Sequence, residues 1–373
     1  MREIPIGELV EINPRLPKNT DETENVSFIP MQSVTEEGKL VNPETRVLGE
    51  TKKGFTYFER GDILLAKITP CFENGKAAHT GTLPHKIGFG STEFHVLRPK
   101  HEWVNAKYIF YMVWNEGFRF FAEKAMKGAA GQKRVSASFI ADYKIPIPFP
   151  DEPAKSLAEQ QRIAAILDKA NSIRDKRQQA IELADKVLRD TFLTMFGDPI
   201  INPNGWRTLY WKESVRIING KNQKKVESDN GPYPIYGSGG EMGRAEDYLC
   251  PENSVVIGRK GNINKPLLVK EKYWNVDTAF GLVPNIDLLS HNYLFWFCKL
   301  FNFEKLNRAV TIPSLTKVDL QEIELPIPPP HIMKKFDEVV KIIDKFVHKL
   351  SSSQQKIEEL VNSLSQKAFK GEL

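Results

Sequence analysis

The 373-residue sequence predicts an α+β protein in which one pattern is written twice: a globule of mixed α/β structure, a long helix, a second globule and a second long helix. Three observations predict it. A Pro-Ile-Pro segment occurs at 145–150 as IPIPFP and again at 325–330 as LPIPPP. Each is followed by a long charged run with regular apolar spacing, and each is preceded by mixed strand-like sequence whose short motifs recur in order. A chain of this length exceeds one ordinary core, and internal repetition is the signal by which to divide it. The predicted segments are 1–150, 151–198, 199–329 and 330–373.

Composition narrows the class. Hydrophobic residues are 41% and charged residues 27%, a globular balance that excludes general disorder. The longest apolar stretches, such as Tyr293–Cys298, fall far short of the ~20 residues that span a bilayer. MREIPIGELVEI carries charges where a signal peptide needs an apolar segment. Cys71, Cys250 and Cys298 form no CxxC pair and no disulfide framework, so the chain reads as reduced and cytoplasmic. Net charge is +5 and the pI about 8.8, compatible with nucleic acid yet well below a histone-like binder. Residues 1–150 hold 20 Lys and Arg against 18 Asp and Glu, and residues 200–328 hold 16 against 14. DNA binding would therefore rest on local placement of basic side chains.

In the first globule, Phe58–Lys67 reads as a tight turn feeding a buried apolar strand that ends in a cation. It parallels Cys250–Arg259 in the second. Ser91–Val96 parallels Asp277–Leu282, with Phe94 against Phe280. Asn105–Tyr111 parallels His291–Trp296 as an aromatic-rich helix. Val135–Phe139 parallels Ile312–Thr316 just before each Pro-Ile-Pro segment.

Alternate prolines fix φ and keep the residue before each extended. The two segments are thus expected as semi-rigid polyproline spacers that join neither the flanking helix nor a sheet, and set each globule at an angle to its helix. Docking of a proline-recognition module is the competing reading, which the duplication of hinge plus helix disfavours.

The runs after the hinges share an Ile-Leu/Ile-Asp-Lys element (Ile166–Lys169, Ile342–Lys345) and Gln-Gln followed by Ile-Glu (Gln178, Gln179, Ile181, Glu182; Gln354, Gln355, Ile357, Glu358). Apolar residues fall at 163, 166, 170, 173, then 180, 184, 187 in the first, interrupted by Arg177. In the second they fall at 336, 339, 343, 346, 350, then 357, 360, 364, interrupted by Ser353. This is the three-four step of a heptad seam. Gly197 with Pro199 supplies a stop for the first helix. At 1.5 Å per residue each helix would be roughly 55–60 Å long. Two unrelated amphipathic helices, each packing on its own domain, would leave the sequence echo unexplained.

Catalytic motifs are missing. There is no GxxxxGK[ST] loop, and the Gly cluster at 237–243 is not followed by a convincing helix. Asn13-Pro14, Asn42-Pro43 and Asn202-Pro203 lack the second Pro and aromatic with which an adenine methyltransferase holds a flipped base. The seven histidines show no metal-ligand spacing. Asp62, Glu73 and Glu93 could mimic a nuclease cluster, but without supporting spacing they read as solvated or capping residues.

Loops rich in cations, Gly and aromatics stand out instead. Tyr233–Gly240 (YPIYGSGG) joins a strand to a Gly-rich loop ending near Arg244, and offers Tyr236, Ser238 and backbone N–H groups for phosphate. Arg259, Lys260 and Asn262 follow the buried strand 255–257; Arg reads guanine bidentately and Lys neutralises phosphate. The first globule places Lys67, Thr69 and Lys76 equivalently, followed by the loop Gly128–Arg134 with Gln132, Lys133 and Arg134. Each alone is an ordinary surface loop; as pairs across the repeat they point to a DNA-binding surface.

With these residues in view, the chain resembles the specificity subunit of type I restriction–modification systems over nearly its whole length. The hinge leading into Glu159-Gln160-Gln161-Arg162-Ile163, the YPIYGSGG stretch, VVIGRKG at 255–261 and above all the two-fold organisation carry the resemblance. The second helix departs from it: it opens HIMKKFDEVV and lacks the Glu-Gln, which bears on how its root is capped. The resemblance implies two target-recognition globules, each reading one half of a split, asymmetric double-stranded DNA site. It implies that the long helices pair antiparallel as a coiled-coil spacer and docking surface, with Ile163, Ile166, Ile173, Ile343, Leu350 and Ile357 among the residues involved. Two methyltransferase subunits carrying S-adenosylmethionine would dock there and methylate adenine. A translocating endonuclease subunit, with ATP and Mg, would complete the complex. No cofactor, metal or catalytic residue is then expected on this chain. Half-sites one helical turn apart need readers ~34 Å apart, which a helix pair of the predicted length can hold. A free-standing DNA-modifying enzyme with an unrecognised active site, and a coiled-coil scaffold without a DNA role, are the other classes.

Overall fold

A computed structural model describes all residues except 130, 308–310, 371 and 373, and for 353–355, 358 and 369 describes the helical backbone alone. The chain parts into two compact units: Met1–Lys176 with Ser353–Leu373, and Arg177–Ser352. Each unit holds one globule with a portion of both long helices.

In the first unit a four-stranded antiparallel sheet has the order Val10–Ile12, Phe94–Pro99, Ile63–Ala66, Ala77–His79. A second sheet runs Glu44–Val47, Asn25–Ile29, Ile87–Gly90, Thr56–Glu59, its central pair parallel. The second unit repeats the first sheet as Val215–Asn219, Ala279–Pro284, Ser254–Gly258, Leu267–Val269. It repeats the second as Gly240–Ala245, Tyr233–Gly237, Trp274–Asn275, again with one parallel pair. Ile63–Ala66 and Ser254–Gly258 are buried at every position, which is why both read as unbroken apolar runs. The Asn-Pro pairs are turns: Asn13, Asn42 and Asn202 hold φ of 58°, 48° and 51°, a region Asn tolerates better than most residues.

The aromatic helices Ala106–Trp114 and His291–Leu300 cover one face of each main sheet. Asn105 caps the first through the Tyr108 N–H, and Ser290 caps the second through the Tyr293 N–H. A short helix follows in each globule, capped by Ser136 and by Thr316. These caps correct the predicted register of that motif: Val135-Ser136 corresponds to Leu315-Thr316, three residues beyond the expected match. A second correction concerns Phe94 and Phe280. Ala66 pairs with Phe94, whereas Gly258, its counterpart, pairs with Ala279. His95 therefore corresponds to Phe280. A one-residue slip reverses the face of a strand. Phe94 accordingly packs with Ile29 and Phe58, and Phe280 with Val255, Ile257 and the aromatic helix.

The Pro-Ile-Pro segments open as strands and are not free spacers. Lys144–Ile147 pairs antiparallel with Arg2–Pro5, and Glu324–Pro326 with Thr208–Tyr210. In a two-stranded ladder alternate residues turn their N–H outward, so Pro146 and Pro326 withhold only donors the pairing does not need. Ile145, Ile147 and Leu325 are buried. Each ladder ties the end of its globule to its beginning.

The central helix runs Pro153–Phe196 and the C-terminal helix Pro330–Lys370, both opening on Pro, which suits a first-turn position. Gly197, at φ 72°, stops the central helix, its N–H donating to the Leu193 carbonyl at 2.9 Å. In the first unit Ile163, Ala164 and Leu167 cluster with Leu364 and Ala368. In the second, the rings of Phe192 and Phe196 lie 5.5 and 5.4 Å from that of Phe336. The beginning of each helix thus meets the end of the other, and the pair is antiparallel.

The buried stripe differs from the predicted seam. Gln160, Ile163, Ala164, Leu167, Ala170 and Asn171 are buried, then Ala184, Leu188, Phe192 and Phe196, so that the predicted positions 163, 170 and 184 lie in the stripe and others do not. Ile166 is half-buried, and Ile173 and Val187 are 40% and 42% exposed. A helix that packs on a globule as well as on a second helix needs a wider, displaced stripe than a heptad seam provides. On the C-terminal helix Phe336 is buried, Ile343, Leu350 and Ile357 are half-buried, and Phe346 is 52% exposed.

Each root is bound to the capped end of its aromatic helix. The Gln160 amide accepts from the Asn105 N–H at 2.9 Å and donates to the Trp103 carbonyl at 3.1 Å and to Ser156 Oγ at 3.0 Å. The second helix, without Glu-Gln, uses Asp337, which accepts from Ser290 Oγ at 3.0 Å and Asn292 Nδ2 at 2.8 Å.

Candidate nucleic-acid interface

The same backbone frame is built in both globules where the central strand of the main sheet ends. The Lys67 N–H donates to the Glu93 carbonyl and the Lys67 carbonyl accepts from Val135, both at 2.9 Å. The Arg259 N–H donates to the Thr278 carbonyl at 2.7 Å and the Arg259 carbonyl accepts from Leu315 at 2.9 Å. One step on, Ile68 bridges Arg134 and Lys260 bridges Ser314. Next, Thr69 donates to the Lys133 carbonyl and Gly261 to the Pro313 carbonyl, both at 3.0 Å. A cation therefore leaves each buried strand at an equivalent point, braced on both sides.

Around Lys67 the first globule gathers all its predicted residues. The Ala66 N–H donates to the Lys76 carbonyl at 2.9 Å, placing Lys76 on the adjacent strand end. Gln132 and Lys133 are exposed at the tip of the 127–134 loop, while Ala130 in that loop lies outside the described residues. Arg134 is not free to read a base in this state. Its Nε and Nη2 donate to Glu93 at 2.9 and 2.8 Å, and Nη1 donates to the Gln132 carbonyl at 3.2 Å. That fork holds the Glu93 carboxyl below the usual carboxylate range and raises the Arg134 guanidinium. Arg134 braces the loop that presents Gln132 and Lys133. Among the described residues Lys67, Lys76 and Lys133 form no ion pair.

Beneath the frame lies His95. Its Nε2 donates to the Val135 carbonyl at 3.0 Å, so Nδ1 is the acceptor facing Asn13 Nδ2 at 3.1 Å. Burial lowers its pKa below the ordinary value. The imidazole is thus a neutral structural link between strand and loop.

In the second globule Arg259, Lys260, Asn262 and Ser238 come together. Gly258 is required here: a Cβ would lie 2.2 Å from the Asn262 carbonyl, because the turn folds back on the strand end. Ser238 sits in the two-residue turn of a hairpin joining Tyr233–Gly237 to Gly240–Ala245, so the predicted Gly-rich loop is largely a strand. Its Oγ lies 3.7 Å from where a Gly261 Cβ would be. The Arg259 guanidinium stands 5.7 Å from the Phe280 ring centroid, and Lys260 and Asn262 are exposed. Tyr236 and Arg244 play other parts. The Tyr236 ring packs edge-on against Tyr273 at 5.6 Å, and burial raises its pKa. Arg244 donates to the Gly231 and Pro232 carbonyls at 3.1 and 2.8 Å, bracing a turn.

Asp62, Glu73 and Glu93 each have a partner of their own: Arg98 for Asp62 at 2.7 Å, Thr69 for Glu73 at 2.9 Å, and Arg134 for Glu93. Among the described residues no group of three or more His, Cys, Asp and Glu could hold a metal ion, and no helix is long and apolar enough to cross a membrane.

A family model, the type I restriction modification DNA specificity domain, matches residues 1–183 and again 203–362. The specificity subunits of the Escherichia coli type I restriction enzymes EcoEI and EcoAI are 40% identical over 177 residues and 41% over 172, or 47% and 46% of this chain. The chain spans 28% of the length of each of these relatives. The MjaIX specificity subunit of Methanocaldococcus jannaschii is 23% identical over 78% of this chain and 73% of its own. Among solved structures, the S subunit of a type I restriction–modification system from M. genitalium superposes with a TM-score of 0.63. Its identity is 15%, over 99% of this chain and 96% of that one, a likeness of fold.

Proposed function

The chain belongs to the type I restriction modification DNA specificity family, and on that premise we propose that it is the sequence-reading subunit of a restriction–modification complex. Each globule reads one half of a split, asymmetric duplex site. The observation that carries this reading is the duplicated frame, in which Lys67 and Arg259 leave equivalent buried strands between equivalent loops. Lys67, Lys76, Lys133 and Lys260 anchor phosphates, and Arg259, Gln132, Ser238 and Asn262 reach base edges. Two different side-chain sets on one frame suit two different half-sites.

The antiparallel helices act as the spacer that sets the gap between half-sites. Apolar side chains stand exposed on them, among them Ile173, Leu183, Val187, Ile342 and Phe346. Such side chains on otherwise charged helices suit docking of protein partners: two methyltransferase subunits carrying S-adenosylmethionine, and an endonuclease subunit using ATP and Mg. Catalysis resides on those partners, and the complex works in the cytoplasm.

The test is duplex binding by the chain with its methyltransferase partners, measured across salt concentrations. Sequence-selective binding that weakens steeply with salt is expected. Binding without sequence preference, or none, removes the proposal in favour of a scaffold. Methylation by the purified chain alone would favour a free-standing enzyme.

A further inference from the structure

Glu73 lies on the turn after Thr69, and only one of its carboxylate oxygens is used. Oε1 accepts from the Thr69 hydroxyl at 2.9 Å; Oε2 is closed to solvent and has no hydrogen-bond partner among the described residues. Glu73 forms one wall of a cleft of about 250 Å³ whose other walls are Phe120, Glu123, Lys124 and Lys133. Phe120, on the helix Glu116–Ala125, is 53% exposed, and Lys124 Nζ lies 3.8 Å above its ring centroid. Lys124 and Lys133 are exposed. A carboxylate oxygen kept from both water and protein donors is costly, and a donor brought by a ligand would relieve that cost. An exposed aromatic beside two cations is a surface suited to a nucleotide. The cleft opens next to Thr69 and Lys133, inside the recognition surface already described.

We propose that Glu73 is a specificity-determining residue of the first globule, its Oε2 accepting from the exocyclic amino group of a base, cytosine N4 or adenine N6. The inference rests on the DNA reading above and goes past it by naming the group on DNA that is read. A carboxylate only accepts, so it selects a donor edge and disfavours guanine O6 and N7 and thymine O4, which are acceptors. Phe120 supplies the apolar wall beside the base. Lys124 and Lys133, long side chains at the rim, part to admit the base edge and meet the flanking phosphates. In the second globule the equivalent turn is occupied differently: Asn264 bonds Asn302 and the Phe303 backbone.

The test uses the full chain with its methyltransferase partners. Glu73→Gln keeps the shape and adds an amide donor where the carboxylate only accepted. Methylated sites are mapped by sequencing in cells carrying either form. One position of the half-site read by the first globule, occupied by cytosine or adenine, is expected to lose preference about tenfold, with the other half and the gap unchanged. An unchanged consensus at unchanged methylation overturns the proposal, as does relaxation confined to the other half. Should Glu73→Gln abolish methylation, the wild-type complex is titrated with duplexes lacking one exocyclic amino group at a time. A loss of about tenfold at one position of the first half-site that disappears when the Glu73→Gln complex is titrated in the same way upholds the proposal; equal affinity for all, or the same loss in both forms, overturns it. A wild-type complex with no sequence preference would instead remove the function on which this inference rests.

Discussion

The hydroxyl of Tyr293 donates to the carbonyl of Pro326 at 3.0 Å, joining the aromatic helix of the second globule to the strand that leads into the C-terminal helix. Tyr108 makes the same bond to Pro146 in the first globule. Both hydroxyls are buried, and burial raises their pKa above the ordinary value. Proline cannot donate, yet its carbonyl remains a good acceptor, and each globule uses it to lock the joint. Tyr293→Phe leaves that carbonyl buried and unpaired, at a cost of about 1–3 kcal/mol. Denaturant unfolding should show an earlier transition for the second globule. An unchanged midpoint would mean that the bond does not hold the joint.

Gln160 is fully buried and spends its amide on two bonds to the globule and one to Ser156 a turn earlier on its own helix. Gln160→Leu keeps the volume but strands the Asn105 N–H and the Trp103 carbonyl, with an expected loss of about 2–4 kcal/mol. Gln161→Leu, on the exposed neighbour, should cost well under 1 kcal/mol. Similar losses from both would contradict the root assignment.

The pH dependence follows from His95. Its folded pKa lies below the ordinary 6.5, with burial as the main cause, so the unfolded chain binds a proton that the folded one refuses. Stability is full above the ordinary value and falls as pH drops from there through the folded pKa. His79, lowered by burial as well, acts in the same direction. His95→Phe places in the first globule the residue that Phe280 supplies in the second. It should start less stable, because Asn13 and the Val135 carbonyl lose a partner, yet lose less between about pH 7 and 5. Unfolding midpoints across that range decide it; a slope as steep as the wild type's would assign the dependence elsewhere.

The two-fold order of elements was legible because hinges, caps and buried strands have strong local signatures. The register was not. Phe94 and Phe280 look equivalent as letters, but strand pairing places His95 where Phe280 stands, and no local pattern distinguishes the two faces of a strand buried on both. At the hinges proline argues against a sheet, and the strands that pair there, Arg2–Pro5 and Thr208–Tyr210, lie more than a hundred residues away, beyond any local signal. The missing Glu-Gln after the second hinge was visible, but that Asp337 takes over the role of Gln160 depends on tertiary packing. In the candidate interface, Lys67 and Arg259 were legible from their place after apolar strands. That Arg134 is spent on Glu93, and Arg244 on the Gly231 and Pro232 carbonyls, was not, since ion pairs and turn braces across the fold leave no spacing to read.

Arg259 has no ion pair among the described residues and stands over Phe280 at the end of its strand. Arg259→Ala should relax one position of the second half-site by about 1–3 kcal/mol of discrimination and leave the first half intact. Binding to duplexes varied one base pair at a time measures this, and an unchanged preference would remove Arg259 from the readout.

The central claim is that each globule reads its own half of one site. Its most direct test replaces residues 1–150 with the corresponding globule of a relative and maps methylated sites in cells that supply the methyltransferase partners. One half of the recognition sequence should change, while the other half and the gap stay as they were. A change in both halves, or in neither, would contradict the account.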